Sequence, residues 1–301
     1  MQKKFPFESL READLHVDAI YEGGISGNAR DDPIGPLTGT GNQGGFRFAG
    51  SPREQAVRLV VLYSSLSELD WPDAIDMQGG RFVYFGDNRS PGKELHDTHR
   101  QGNLILRQCF DALHAGRRND IPPFLVFTKL GRGRDVLFRG FAVPGAPGLP
   151  PTQDLVAVWK SKNGVRFQNY RAVFTVLDEP VVQRAWLKEI HTGARFGEHC
   201  PVAFRQWADK GGYQTLSAEP IASTRSRREQ LPSSTRVGLV RTVYESFRSN
   251  AFGFELIAAE LFRMSDPNVV HYDLTKPWRD GGRDALGKYR IGHEESAVLT
   301  D

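Results

Sequence analysis

Phe124-Leu-Val-Phe-Thr128, Gly131-Arg-Gly-Arg134 and Val136-Leu-Phe-Arg-Gly-Phe141, then Leu155-Val-Ala-Val-Trp159, Asn163-Gly164 and Phe167 to Leu177, form two pairs of apolar runs, each pair joined by turn residues. Such runs, rich in β-branched and aromatic side chains and broken by Gly or Asn-Gly, read as consecutive hairpins. Upstream, Gly45-Phe-Arg-Phe48 alternates, Arg58-Leu-Val-Val-Leu-Tyr63 is a buried-type run, and Arg81-Phe-Val-Tyr-Phe85 follows the turn residues Gly79-Gly80. All three read as strands. Between the strands, Leu106, Phe110 and Leu113 recur at helical spacing and predict a helix over 97–117, ended by Gly116. The expectation is an α+β fold: a curved, mostly antiparallel sheet, closed in part into a barrel, with flanking helices. Residues 5–47, rich in Gly, Asp, Asn and Pro, read as a loop.

From Pro180 the pattern changes to short helices, 181–190 and 201–208, and residues 218–235 are rich in Ser, Pro and Arg. This predicts a first domain over 1–220, with its helical extension from about 180, and a linker over 221–234. Amphipathic helices over 235–250 and 252–264 then open a third segment, 235–301. With 301 residues, two domains are the natural prior. Hydrophobic residues make up 39% of the chain and charged ones 25%, a balance that excludes a disordered chain. No apolar run approaches the roughly 20 residues of a spanning helix. The first residues lack the apolar core of a signal peptide, which leads to the expectation of a cytoplasmic protein without a membrane partner. Two cysteines, Cys109 and Cys200, are too few for a disulfide scaffold or a thiolate zinc site and read as packing residues. A net charge of +3 is too small to indicate a nucleic-acid partner, so local arrangement must decide.

Three constellations could carry chemistry. In Glu68-Leu-Asp70-Trp71-Pro-Asp73-Ala-Ile-Asp76 and Phe82-Val-Tyr84-Phe85-Gly-Asp87-Asn88, two aromatics stand thirteen positions apart among carboxylates. They could sandwich a planar base while a carboxylate accepts from its amine, or they could be core aromatics beside turn aspartates. The glycine loop 39–45 offers Asn42 and Gln43, amides able to read base edges, or it is only a surface loop. Arg132 and Arg134 in the first hairpin, like Arg225 to Arg228, could hold phosphates or form a solvated face. His96 and His99 have ligand-like spacing but no nearby third ligand. Last, Phe254-Glu255 on a helix and Asp280-Gly-Gly-Arg-Asp284 before a strand could gather carboxylates around a divalent cation, although Asp-Gly is also an ordinary turn.

Taken in order, Leu59 to Leu66, Glu68 to Asp73, Phe82 to Asn88, Pro91 to Thr98, Ile121 to Phe127 and Asp135 to Gly140 resemble the N-terminal region of modification-dependent restriction endonucleases of the AspBHI and MspJI type. The resemblance spans roughly 20–230. It implies an SRA-like fold that flips 5-methylcytosine out of double-stranded DNA, as the recognition part of a type II endonuclease. Trp71 and Tyr84 would be the stacking pair. Asp73 is the first choice for the carboxylate on the cytosine amine, with Asp70, Asp76 and Asp87 in reserve. Leu69, Ile75 and Phe85 are candidates for a methyl niche. Asn42, Gln43 and the stretch from His96 to Asn103 would read flanking bases or fill the vacated stack, and Asn88, Arg132 and Arg134 are further candidates for DNA binding.

The segment from Phe254 resembles the start of a Mrr-like nuclease core. In that family Asp284 would bind Mg²⁺, with Glu255 as a second catalytic carboxylate. Such a nuclease also needs Glu-x-Lys or Gln-x-Lys on the following strand, and past Asp284 the sequence has Lys288, Glu294 and Glu295 but neither motif. The expectation is therefore a chain that binds modified DNA without cutting it, no metal being required for binding. The resemblance further implies a homo-oligomer, dimer or tetramer. Two alternatives stand beside this reading: a stand-alone 5-methylcytosine reader, and an RNA-binding barrel indifferent to cytosine methylation.

Overall fold

A computed structural model describes residues 3–41, 44–68, 70–76, 79–131 and 133–217, then 232, 234–265, 269–275, 285–291 and 294–298. The chain divides into two compact units, Met1–Ile221 and Ala222–Asp301.

The first unit is built on β1 (Lys4–Phe5), β2 (Leu15–His16), β3 (Ile20–Tyr21), α1 (Ile34–Thr38), β4 (Phe46–Ser51), β5 (Ala56–Ser64), β6 (Ala74–Asp76), β7 (Arg81–Phe85), α2 (Gly102–His114), β8 (Phe124–Lys129), β9 (Val136–Pro144), α3 (Pro151–Asp154), β10 (Leu155–Lys162), β11 (Val165–Val176), β12 (Val181–Val182), α4 (Arg184–Thr192) and α5 (Val202–Lys210). Ten of these strands form one sheet along the path β4-β5-β8-β9-β11-β7-β6, with β1, β3 and β10 attached off it. Both hairpins read from the sequence are present, β8 with β9 and β10 with β11. At the second turn Asn163 and Gly164 take φ of 52° and 76°. Positive φ at both central residues suits the right-handed twist of the flanking strands.

The sheet is mostly antiparallel, but β5 pairs with β8 in parallel. A parallel pair needs a long crossover, and here β6, β7 and α2 supply it. Helix α2 lays Ile105, Leu106, Cys109 and Phe110 onto the sheet, where Phe110 meets Phe174 edge-on at 5.7 Å. On another side, Trp186 of α4 and Phe204 of α5 pack edge-on against Phe141 of β9.

The end strands β4 and β6 do not pair with each other among the described residues, so a closed barrel is not shown. Three expectations are corrected. The helix begins at Gly102 rather than residue 97, because Gln101 sits in the left-handed region (φ 54°) and ends the preceding loop. Val181–Val182 is not a helix start but a strand on Leu15–His16. Residues 5–47 are not one loop, since they contain β2, β3 and α1, and β3 pairs with β9. Both cysteines are buried and free.

In the second unit, α6 (Val237–Phe247) and α7 (Ala251–Ser265) precede a three-stranded antiparallel sheet of β13 (Val269–Leu274), β14 (Ala285–Ile291) and β15 (Glu294–Val298). Glu260 on α7 accepts from Arg263 and from the Tyr272 hydroxyl on β13, and these donors, Arg263 first, hold its carboxyl down at about 2. Among the described residues no helix is long and apolar enough to cross a membrane.

Candidate nucleic-acid interface

Asp73 lies just before β6 in a tight turn, its N–H bonded to the Trp71 carbonyl at 2.9 Å. The turn puts the carboxylate under the end of β7, where it is only 6% exposed. Oδ1 accepts the Phe85 N–H at 2.7 Å, and Oδ2 accepts the Ser64 hydroxyl at 2.7 Å. The Arg89 guanidinium stands at 3.8 Å, an ionic contact longer than a hydrogen bond. Burial raises the Asp73 pKa above the ordinary carboxylate value, opposed by Phe85, Ser64 and Arg89. A carboxylate offers about four lone-pair sites, so this one is fixed in orientation with acceptor capacity to spare.

Trp71 and Tyr84 do not face each other. Strand residues alternate between faces, and Trp71 joins the Phe85 side, its ring 5.7 Å from Phe85 and 5.9 Å from Phe167 in a satellite cluster with Val83 and Val158. Tyr84 points to the other face, between Phe82 at 5.9 Å and Phe46 at 6.2 Å. Both rings are buried. The two rings therefore do not form the two walls of one slot, as the Trp71–Tyr84 expectation required. Tyr84, Phe46, Gly45, Asp87, Arg89 and Arg100 line a cleft of about 210 Å³. A Cβ at Gly45 would come within 3.1 Å of the Tyr84 hydroxyl and 2.9 Å of the Tyr63 carbonyl, so glycine keeps this wall open.

Asp87 and Asn88 also hold the framework beside the cleft. Asp87 accepts from the Thr98 hydroxyl (2.7 Å) and from the Gly102 and Asn103 N–H groups (both 2.9 Å), capping α2 with a carboxylate where the helix dipole favours one. Asn88 donates to the Gln168 and Lys93 carbonyls. Beneath them the fully buried Asn169 accepts from Asn88 N and Asn103 Nδ2 and donates to the Gly86 carbonyl. His96 is exposed, with Nε2 2.8 Å from the Tyr170 hydroxyl. The 88–101 loop is thus tied down at both ends beside the cleft.

Asp70 and Asp76 are exposed, Asp76 accepting the Gly79 N–H in a turn. Leu69, Asn42, Gln43, Arg132 and Asp284 lie outside the described residues. The flanks of the glycine loop are pinned: Arg47 donates to the Gly44 carbonyl and pairs with Asp32 at 2.5 Å, and the Thr38 carbonyl meets His191 Nε2 at 2.7 Å. Arg134 is exposed, and Glu255 is half-buried on α7. No three His, Cys, Asp or Glu among the described residues converge on a metal-sized point, and Asp284, which the resemblance gives to Mg²⁺, lies outside those residues. Burial pushes the Cys109 thiol up to about 12 and Cys200 to about 11, which suits packing and not nucleophilic attack. Sequence reasoning missed Phe46, Arg89 and Ser64, and took Arg100 only as part of the stretch from His96 to Asn103. Arg89 directly follows Gly86-Asp-Asn88, and that adjacency was the available signal.

These features define a DNA-recognition module of the modification-dependent restriction endonucleases. Residues 15–219 match the model of the family described as restriction endonuclease AspBHI N-terminal, and the chain belongs to that family. The chain is similar to the DNA modification-dependent restriction endonuclease AspBHI, at 48% identity over 72% of this chain and 100% of that one (TM-score 0.69). It is also similar to the DNA recognition domain of the cytosine modification-dependent restriction endonuclease LpnPI, at 45% identity over 74% of this chain and 99% of that one (TM-score 0.68). The MspJI restriction endonuclease, solved with a 27-mer oligonucleotide, shares the fold at 22% identity over 94% of this chain and 73% of its own (TM-score 0.52). Among curated proteins none matches.

Proposed function

We propose that the first unit binds double-stranded DNA carrying 5-methylcytosine and flips the modified base into the cleft beside Tyr84, with Asp73 accepting from its exocyclic amine. One observation carries this reading. Of the four carboxylates that could serve, Asp73 alone is both buried and left with acceptor capacity; Asp87 is occupied by α2, and Asp70 and Asp76 are exposed. Arg89, about a third exposed, is the group that yields to the base. Flipping costs a few kcal/mol, and one stacking contact returns roughly 1–3 kcal/mol. A buried hydrogen bond to a charged acceptor adds about 1.5–3 kcal/mol, so the sum suffices with a single aromatic wall. Phe46 and the Tyr84 ring supply apolar surface for the methyl group. As part of a restriction endonuclease, this unit directs a nuclease to modified sites; neither Glu255 nor Asp284 carries a step of base recognition.

Mobility shifts with duplexes differing in one 5-methyl group test the reading. The wild-type chain is expected to prefer the methylated duplex, Asp73→Asn to lose that preference, and Asp76→Asn to keep it. A fluorescent cytosine analogue at the target position should brighten as it leaves the stack. Equal binding of both duplexes by the wild type would overturn the assignment.

A further inference from the structure

The hairpin of β10 and β11 is not used by the cleft, yet its surface is unusual. Residues 155–177 contain Lys160, Lys162, Arg166 and Arg171 and no Asp or Glu. None of the four has a carboxylate partner among the described residues, whereas Arg47, Arg107, Arg117, Arg139 and Lys188 all do. Trp159 is 57% exposed, and the Arg166 guanidinium lies over its ring at 4.7 Å. Lys160 sits over Trp71 at 5.1 Å.

The placement is directional. Strand β11 pairs with β7 only from Arg171, opposite Phe85, to Thr175. Residues 165–170 pair with β10 alone, so the distal half of the hairpin runs on past the end of β7. That is the end where Gly86 to Arg89 leave the sheet, and the Asn88 side chain bonds to the Gln168 carbonyl. A basic ribbon therefore projects beside the segment that carries Asp87 and Arg89 into the cleft wall.

We infer that the β10–β11 hairpin is a second DNA contact, a clamp on the phosphate backbone next to the recognition cleft, with Lys162 and Arg166 as the phosphate-binding groups. A guanidinium held over an indole ring is pre-oriented, and its planar fork matches phosphate oxygens. Two cations freed of internal carboxylates release counterions when they meet phosphates. The contact is indifferent to sequence and to methylation, because phosphates carry no base information. It rests on DNA binding by this unit and not on base flipping.

The test measures affinity of the full-length chain for a methylated duplex and its unmethylated twin over a series of salt concentrations. For Lys162→Ala/Arg166→Ala, we expect both affinities to fall by a common factor of roughly tenfold, the slope of log K against log salt to flatten by about two, and the methyl preference to stay. The charge-keeping pair Lys162→Arg/Arg166→Lys should restore the slope, and an unchanged melting temperature would show that the ribbon is intact. Unaltered affinity and slope would overturn the clamp, as would a loss confined to the methylated duplex. If wild type shows no methyl preference, base flipping fails while the common drop still reports the clamp.

Discussion

The Asp73 carboxylate and the Phe85 backbone N–H are joined at 2.7 Å across the turn that precedes β6. The bond fixes a buried acid beneath the strand that carries Tyr84, and it couples the fold of that strand end to the acid's protonation. Because burial raises the Asp73 pKa, the folded chain holds this proton more tightly than the unfolded chain does.

The sign of the pH effect follows. Between the ordinary carboxylate value and the raised one, the folded state binds more protons, so stability declines as pH rises through that window. On acidification from about pH 7 to pH 4, Asp73 should add stability, against the trend set by the paired carboxylates elsewhere. Asp73→Asn should remove this contribution. Melting temperatures of both proteins across the range will show it, and identical pH profiles would contradict the burial argument.

Asp87 caps α2 through the Gly102 and Asn103 N–H groups. Asp87→Ala should cost about 1–2 kcal/mol of stability. Asp87→Asn should cost less, since it keeps an acceptor oxygen and loses only the charge at the helix N-terminus. Denaturant titrations of the three proteins test the order. If Asp87 instead served the flipped base, the Asn variant would lose methyl preference at nearly wild-type stability.

How much of this was legible in the sequence differs between levels. Strands such as Arg81–Phe85 and Val136–Phe141 announced themselves through apolar runs, and Asn163-Gly164 through its turn chemistry. The parallel pairing of β5 with β8 did not, because it depends on where the β6–β7–α2 crossover returns and not on any local pattern. Tyr84, Asp87 and Asp73 were legible as candidates for the cleft, but Phe46 and Arg89 beside them and the facing of the rings were not. Trp71 and Tyr84 looked like a pair by spacing, whereas the turn at Asp73 puts Trp71 on the Phe85 side. The framework bonds of Asp87 and Asn88 were not legible, because a helix cap and a binding site use the same side chains. Asn169, which supports the cleft from below, gave no period and no motif, and Asn103 entered only as the end of the stretch from His96.

The Asn103–Asn169 network packs directly against Gly86. A Cβ at Gly86 would lie 1.8 Å from Asn103 Oδ1 and 2.7 Å from Asn169 Oδ1. Gly86→Ala must therefore displace two buried amides that hold the Gly86 carbonyl and the start of the 88–101 loop. Overpacking together with broken buried hydrogen bonds should cost at least about 3 kcal/mol. Hydrogen exchange should show the loss of protection centred on residues 86–88 and the first turn of α2. Wild-type protection there would mean that the amides re-pair freely.

The opposite facing of Trp71 and Tyr84 yields the last expectation. Leucine in place of either ring keeps apolar bulk but cannot stack on a base. Trp71→Leu should loosen the Phe85 and Phe167 cluster and lower stability by about 1–3 kcal/mol, while the ratio of affinities for methylated and unmethylated duplexes stays as in the wild type. Tyr84→Leu should collapse that ratio, because its ring lines the cleft that the base would enter. Binding ratios measured at a temperature where both variants are folded separate the two roles. Loss of the ratio in Trp71→Leu alone would move the base to the Phe85 side of the sheet, under Lys160, and would make Trp71 the stacking ring.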